Sequence, residues 1–246
     1  MMRVAVFGSR GRMGQTVCQA VTAAADLELV AGVDAGDDRS PALAADVIVD
    51  FTHPDAVMDN LAWCIDHDRP VVVGTTGFTP ERLDQVRQWL AAKPALGTLV
   101  AANYAIGAVL MMHFAQLAAP HFESVEIVEL HHPQKVDAPS GTARRTAELV
   151  AAARSAAGCP PPPDATTHAV AGARGATIDG IRVHALRLSG LLASQEVHLT
   201  SVGESLVIRD DARDRTSFMP GVLAGIRWLP SHPGLTVGLE SVLGLV

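Results

Sequence analysis

The first hundred residues repeat one pattern: a short valine-rich apolar run, a turn, then a segment whose apolar positions recur three and four apart. Arg3–Phe7, Leu27–Asp34, Asp46–Phe51, Pro70–Val73 and Thr98–Ala101 read as strands. Arg12–Ala25, about Pro54–Asp66 and about Pro80–Ala92 read as the helices between them. Short apolar strands without polar alternation belong to a sheet covered on both faces. Strands that alternate with helices imply a parallel, doubly wound sheet. After Tyr104 the pattern changes. Ala105–Leu117 is a long apolar helix, and Val125–Leu130 alternates, with Val125, Ile127 and Val128 set among glutamates. A helix over Ser140–Ala157 leads into Pro160–Pro163, a rigid extended connection. Strands follow near Gly180–Leu188, Gln195–Ser201 and Ser205–Arg209, the last two joined by a hairpin signal at Val202-Gly203-Glu204. Thr216–Leu229 is helical again, and the tail Gly234–Val246 is apolar. The fold class expected is α/β: a doubly wound parallel sheet plus a second α+β domain with an open mixed, mostly antiparallel sheet. The first domain would comprise residues 1–105 and 216–246, the second 106–215, with hinges near Tyr104–Gly107 and Arg213–Ser217.

Composition narrows the function classes. With 246 residues, 48% of them hydrophobic and 18% charged, the chain can bury two modest cores. A net charge of -7 with dispersed cations speaks against nucleic acid as a partner. Cys18, Cys64 and Cys159 are odd in number and far apart, so neither a disulfide framework nor a zinc site is expected. The N-terminus runs directly into the apolar residues Val4–Phe7, and no apolar run is long enough to span a bilayer. The expectation is a cytoplasmic protein without membrane contact.

Two groups of residues carry chemistry. Gly8-Ser9-Arg10-Gly11-Arg12-Met13-Gly14 joins the first strand to the first helix. Glycines there let the backbone turn tightly and approach a pyrophosphate, while the helix start supplies N–H donors. Asp34 ends the second strand about twenty residues later, where an acid meets a ribose. Asp34 suits NADH through its ribose hydroxyls, whereas Arg10 or Arg12 can pair with a 2′-phosphate, so NADH or NADPH is expected to serve. Gly74-Thr75-Thr76-Gly77 and Ala101-Ala102-Asn103-Tyr104 end the fourth and fifth strands, where parallel sheets bind ligands.

The second group is Glu129-Leu-His131-His132-Pro-Gln-Lys135-Val-Asp137-Ala-Pro-Ser140-Gly141-Thr142-Ala143. Adjacent histidines on an extended segment face opposite ways, so His131 and His132 have different tasks. Lys135 adds a cation. Ser140 is a good N-cap, and Gly141 and Thr142 open a helix whose N–H groups suit a carboxylate. Zinc binding by the histidines is not expected, because no further ligands stand at metal spacing.

Together these motifs, with Asp210–Val222, resemble the dihydrodipicolinate reductase (4-hydroxy-tetrahydrodipicolinate reductase) family over nearly the whole chain. The resemblance implies a Rossmann-type cofactor domain and a homotetramer assembled through the second domain's sheets. It implies NAD(P)H-dependent reduction of a small cyclic imine dicarboxylate on the diaminopimelate route to lysine. By position, His131 matches the proton donor/acceptor and Lys135 the second proton donor. His132, Gly141 and Thr142 match the substrate-carboxylate contacts. Gly8 to Met13, Asp34, Gly74 to Thr76 and Ala101 to Tyr104 match the cofactor contacts. The family's usual APNF or ASNF is replaced by Ala101-Ala102-Asn103-Tyr104, which adds a hydroxyl expected near the nicotinamide. Two rivals compete: another Rossmann amino- or imino-acid dehydrogenase of the aspartate-dehydrogenase type, and a non-catalytic NAD(P) sensor. The first has no reason for Lys135 beside Ser140-Gly141-Thr142. The second has no need of a proton donor.

Overall fold

Strand β1 (Met2–Phe7) lies between β2 (Leu27–Val33) and β3 (Val47–Asp50), parallel to both. β4 (Val71–Val73), β5 (Gly97–Val100) and β11 (Gly234–Val237) extend the sheet to the order β11-β5-β4-β3-β1-β2, all parallel. The computed structural model describes residues 1–245. It divides them into two compact units: Met1–Ile106 with the chain from Arg215 onward, and Gly107–Asp214.

In the middle of the first sheet, at β3, β4 and β5, the apolar runs are continuous because both sheet faces are covered. Ala5, Phe7, Ile48, Val71 and Val73 pack against Val57, Leu61 and Ile65 of α2 (Val57–Asp66) and Val86 and Leu90 of α3 (Pro80–Ala91). On the opposite face, α1 (Arg12–Ala23) lies beside α6 (Met219–Trp228), where Gly225 fits against Leu99 and Val72. The apolar tail contributes the sixth strand, β11, preceded by a short 3-10 turn at Leu229–Ser231. Helix α2 starts at Val57 instead of Pro54, because residues 53–56 form the turn that leads into it.

The second unit opens with α4 (Ile106–Ala118) and builds the sheet β10-β9-β6-β8-β7. Its strands are β6 (Ser124–His131), β7 (Ala176–Ile178), β8 (Ile181–Arg187), β9 (Ala193–Ser201) and β10 (Glu204–Ala212). Only β6 and β8 run parallel. β7 is an addition to the sequence reading. It has three residues and no apolar run, and it exists as the hairpin partner of β8. The turn between β9 and β10 is Val202-Gly203, since Glu204 already pairs with Ser201. Alternation is clean in β6: Val125, Ile127 and Glu129 are buried, while the residues between them are half-buried. Helix α5 (Gly141–Ala156) packs against β6 and β8 with Ala143, Ala147 and Val150 fully buried.

Candidate active site

The glycine loop forms as the sequence requires. Gly8 stands at φ +81°, and a Cβ on Gly14 would collide with the Gly8 carbonyl. That close passage places Gly11 as the N-cap of α1 with no side chain capping it and no acid in the first turn. A helix start of this kind accepts an anion. Asp34 follows β2 and accepts from the Ser9 hydroxyl at 2.6 Å and from the Arg10 N–H at 3.0 Å. The Arg10 guanidinium bridges Asp34 (3.3 Å) and Asp37 (2.9 Å) at the solvent-exposed edge of the loop. Arg12 and Met13 begin α1. Gly8, Gly11 and Asp34 line a cavity of about 520 Å³ together with Arg39, Thr52 and Asn60. Its glycines, the acids Asp34 and Asp37 and the cation Arg39 suit a nucleotide.

Gly74, Thr75 and Thr76 follow β4. Thr75 is 5% exposed, and its hydroxyl donates to Asp50 at 2.6 Å. Its side chain therefore faces the fold, leaving its backbone for a ligand. Asp50, fully buried at the end of β3, also accepts from the Thr52 hydroxyl (2.8 Å) and the Asn60 amide (2.7 Å). Ala101 bonds through its N–H to the Val73 carbonyl, and Asn103 Oδ1 accepts from the Ala105 N–H at 2.8 Å. The Tyr104 hydroxyl, expected near the nicotinamide, instead donates to the Val73 carbonyl at 2.9 Å inside the core. Its ring leans on Phe51, and burial pushes its pKa far above the ordinary phenol value.

In the second unit, β6 ends at His131 and the chain turns, with the Lys135 N–H donating to the His132 carbonyl. The Lys135 ammonium pairs with Asp137 at 2.7 Å. Ser140 caps α5 by accepting from the Ala143 N–H at 3.2 Å, so Gly141 and Thr142 begin the helix, and the space around the Gly141 Cα is open. His131 Nδ1 is hydrogen-bonded to Glu129, a fully buried carboxylate that also receives the Arg187 guanidinium at 2.9 Å on each oxygen. Burial lowers the His131 pKa from its ordinary value. The hydrogen bond and charge of Glu129 oppose this, and the charges of Lys135 and Arg187 add to it. Burial alone would raise the Glu129 pKa, but Arg187 and His131 together bring it below the usual carboxylate range.

Sequence reading gave Glu129 no role of its own and passed over Arg187, Asp50 and Arg39. A signal existed for Glu129: two residues before His131 on one strand, it shares that histidine's face. A cation soon after Asp34 was the signal for Arg39. Arg187 becomes visible only once β8 pairs with β6, placing it in register with His131.

Comparison with known proteins agrees along the whole chain. Residues 2–104 match the family described as dihydrodipicolinate reductase, N-terminus, and residues 107–243 match dihydrodipicolinate reductase, C-terminus. A 4-hydroxy-tetrahydrodipicolinate reductase of Cutibacterium acnes is 62% identical, with 100% of both chains covered. One of Thermobifida fusca is 63% identical, again over 100% of both. Among solved structures, a dipicolinate-bound dihydrodipicolinate reductase from Paenisporosarcina sp. TG-14 is similar with a TM-score of 0.85 and 39% identity, covering 98% of this chain and 99% of that one.

Proposed function

The chain belongs to the dihydrodipicolinate reductase family, and from that premise we propose how its residues divide one reaction, the NADH- or NADPH-dependent reduction of 4-hydroxy-tetrahydrodipicolinate to tetrahydrodipicolinate. Residues 1–105 and 216–246 act as the dinucleotide-binding domain, and 106–215 as the substrate-binding and oligomerisation domain. The observation that carries this reading is the conjunction of His131, Lys135 and the Ser140-capped start of α5 at the end of β6.

The bound nicotinamide supplies the hydride. Gly8 to Met13 present N–H groups to its pyrophosphate. Asp34 would receive a ribose, and the backbones of Gly74 to Thr76 and Ala101 to Tyr104 would border the nicotinamide. Two acids, Asp34 and Asp37, and two cations, Arg10 and Arg39, stand at or beside the glycine-loop cavity and would meet the adenosine end. This balance supports use of either cofactor. On the second unit, Gly141, Thr142 and His132 bind the substrate carboxylates; the Paenisporosarcina relative binds dipicolinate, a planar ring with two such groups. Hydride addition to a conjugated imine leaves negative charge on the ring, and a proton must quench it. With His131 shifted toward its neutral form, the Lys135 ammonium holds the proton ready, and His131 exchanges protons beside it.

Among the described residues no helix is long and apolar enough to cross a membrane. We place the enzyme in the cytoplasm, where a reductive biosynthetic step draws on NADH and NADPH. For the homotetramer, the outer face of the second sheet offers half-buried Val128 and Leu130 among the ion pairs Glu126–His184 and Glu196–His198.

The test is an absorbance assay of NADH or NADPH oxidation with substrate generated from pyruvate and aspartate semialdehyde. Substrate-dependent oxidation is expected with both cofactors, their kcat/KM values differing by less than about a thousandfold, roughly 4 kcal/mol. Absence of oxidation would remove the reading; a larger ratio would remove the dual use.

A further inference from the structure

Glu129 and His131 project from the same face of β6, because side chains two apart on a strand do so. Every lone-pair direction of the buried Glu129 carboxylate is engaged. Oε1 accepts from the Ser140 N–H at 3.2 Å and from Arg187 at 2.9 Å; Oε2 accepts from Arg187 at 2.9 Å and from His131 Nδ1. Arg187 is itself fixed from behind, donating to the Leu186 carbonyl and the Asp137 carbonyl, each at 2.7 Å. The bidentate pair keeps the carboxylate ionised, and an ionised carboxylate only accepts. The nitrogen that faces it must therefore carry the hydrogen. In a neutral imidazole the other nitrogen then holds the lone pair.

We propose that Glu129, clamped by Arg187, is a positioning residue that locks His131 as the Nδ1–H tautomer and makes Nε2 the nitrogen that exchanges protons during the reduction. This rests on the reading of His131 as a group at the reacting site. The charged groups facing the imidazole are Glu129 from β6, Arg187 from β8, and Lys135, with its partner Asp137, from the turn before α5. Glu129 is the one anion in direct hydrogen-bond contact with the ring among these. It alone offsets the burial and the two cations that drive the ring toward neutrality. Arg187 fixes the carboxylate and tempers its basicity, so the proton shared along the bond stays on the imidazole.

The closing experiment reads the tautomer directly. The full chain is labelled with 15N-histidine, and the His131 ring signals are identified by their loss in His131→Asn. Two-bond 1H–15N spectra above the ring's titration should show a protonated Nδ1 and a pyridine-type Nε2 in the native protein. The opposite pattern, with hydrogen on Nε2, overturns the proposal in the native protein, and only the signal assignment draws on His131→Asn. Glu129→Gln should then mix the tautomers and move the His131 titration to lower pH, since an anion is lost and Arg187 remains. Its kcat should fall about a hundredfold with KM nearly constant, the loss expected when a proton-transfer group is misplaced. An unchanged tautomer and pH profile in Glu129→Gln overturns the proposal. Full turnover by His131→Asn overturns instead the placement of His131 at the reacting site, and the two failures are distinguishable.

Discussion

Asp50 in the first unit and Glu129 in the second are both fully buried carboxylates near the carboxyl end of a strand, yet their surroundings differ in kind. Asp50 is held by the hydroxyls of Thr52 and Thr75 and the amide of Asn60, neutral donors that do not titrate. Glu129 is held by a guanidinium and an imidazole. The first arrangement fixes a shape: it ties Thr75, at the start of the Gly74–Gly77 segment, to the end of β3, and the contacts proposed for the glycine loop are backbone N–H groups. The second fixes a charge pattern whose proton occupancy can change. A cofactor that arrives with its own hydride needs the former, and a substrate that must be protonated needs the latter.

The sharpest way to break this contrast is Lys135→Ala, which alters the charge pattern and leaves the shape alone. The Lys135 ammonium pairs with the half-exposed Asp137, so the fold should tolerate its loss. We expect kcat to fall by about 10² to 10⁴, while the NADH dissociation constant, followed by fluorescence, stays as in the native protein. Unchanged turnover would show that the amine does not act on substrate.

The same contrast explains what was readable in the sequence. The first unit's central strands β1, β3, β4 and β5 announce themselves because both faces are buried, so their apolar runs are nearly uninterrupted. The Ser140 cap and the apolar positions of α5 are equally local signals. β7 escaped because three residues with one buried side chain make no pattern; its stability comes from pairing with β8. Arg187 escaped for a related reason. Nothing near it in sequence marks it, and its meaning lies in the β6–β8 register that sets it beside His131. Thr75 was legible by position at the end of β4, but its inward turn depends on Asp50, a residue of another strand. Position along a parallel sheet is local information; the direction of a polar side chain depends on partners that only folding brings near.

Asp50→Asn tests the fixed-shape side and carries the next largest effect. Asparagine keeps one acceptor oxygen and turns an amide toward donors that need acceptors, so a Thr hydroxyl or the Asn60 amide goes unpaired. A loss of about 2 kcal/mol in chemical denaturation is expected from such a buried group, with weaker cofactor binding as the Gly74–Gly77 segment loosens. Native stability and native cofactor affinity together would show that the network does not hold that segment.

Acid should act on the titrating arrangement around Glu129 and His131. Glu129 is held below its ordinary value, so its contribution is present above about pH 4.5 and lost as pH falls through its folded value. The lowered His131 pKa has the same sign: below about pH 6.5 the unfolded chain takes up a proton that the folded chain resists. Between pH 7 and pH 5 the His131 contribution acts alone, so amide exchange in β6, corrected for intrinsic rates, should speed up relative to β3, and Glu129 should add to this only below about pH 4.5. A β6 protection that rises as pH falls would contradict the sign.

Tyr104→Phe is the smallest change and the finest probe. The hydroxyl donates to the Val73 carbonyl, which also accepts from the Ala101 N–H at 3.0 Å. A carbonyl oxygen has two lone pairs, so removing the hydroxyl leaves that acceptor satisfied. The ring stays against Phe51, 5.9 Å between centroids. The cost should be at most about 1 kcal/mol of stability, the net value of one neutral hydrogen bond. Turnover should not move: kcat/KM for NADH and NADPH should each stay within about twofold, less than 0.5 kcal/mol of barrier. A fall of tenfold or more at unchanged stability would put the hydroxyl at the nicotinamide, and the division between a fixed cofactor frame and a titrating substrate frame would then fail at its most buried point.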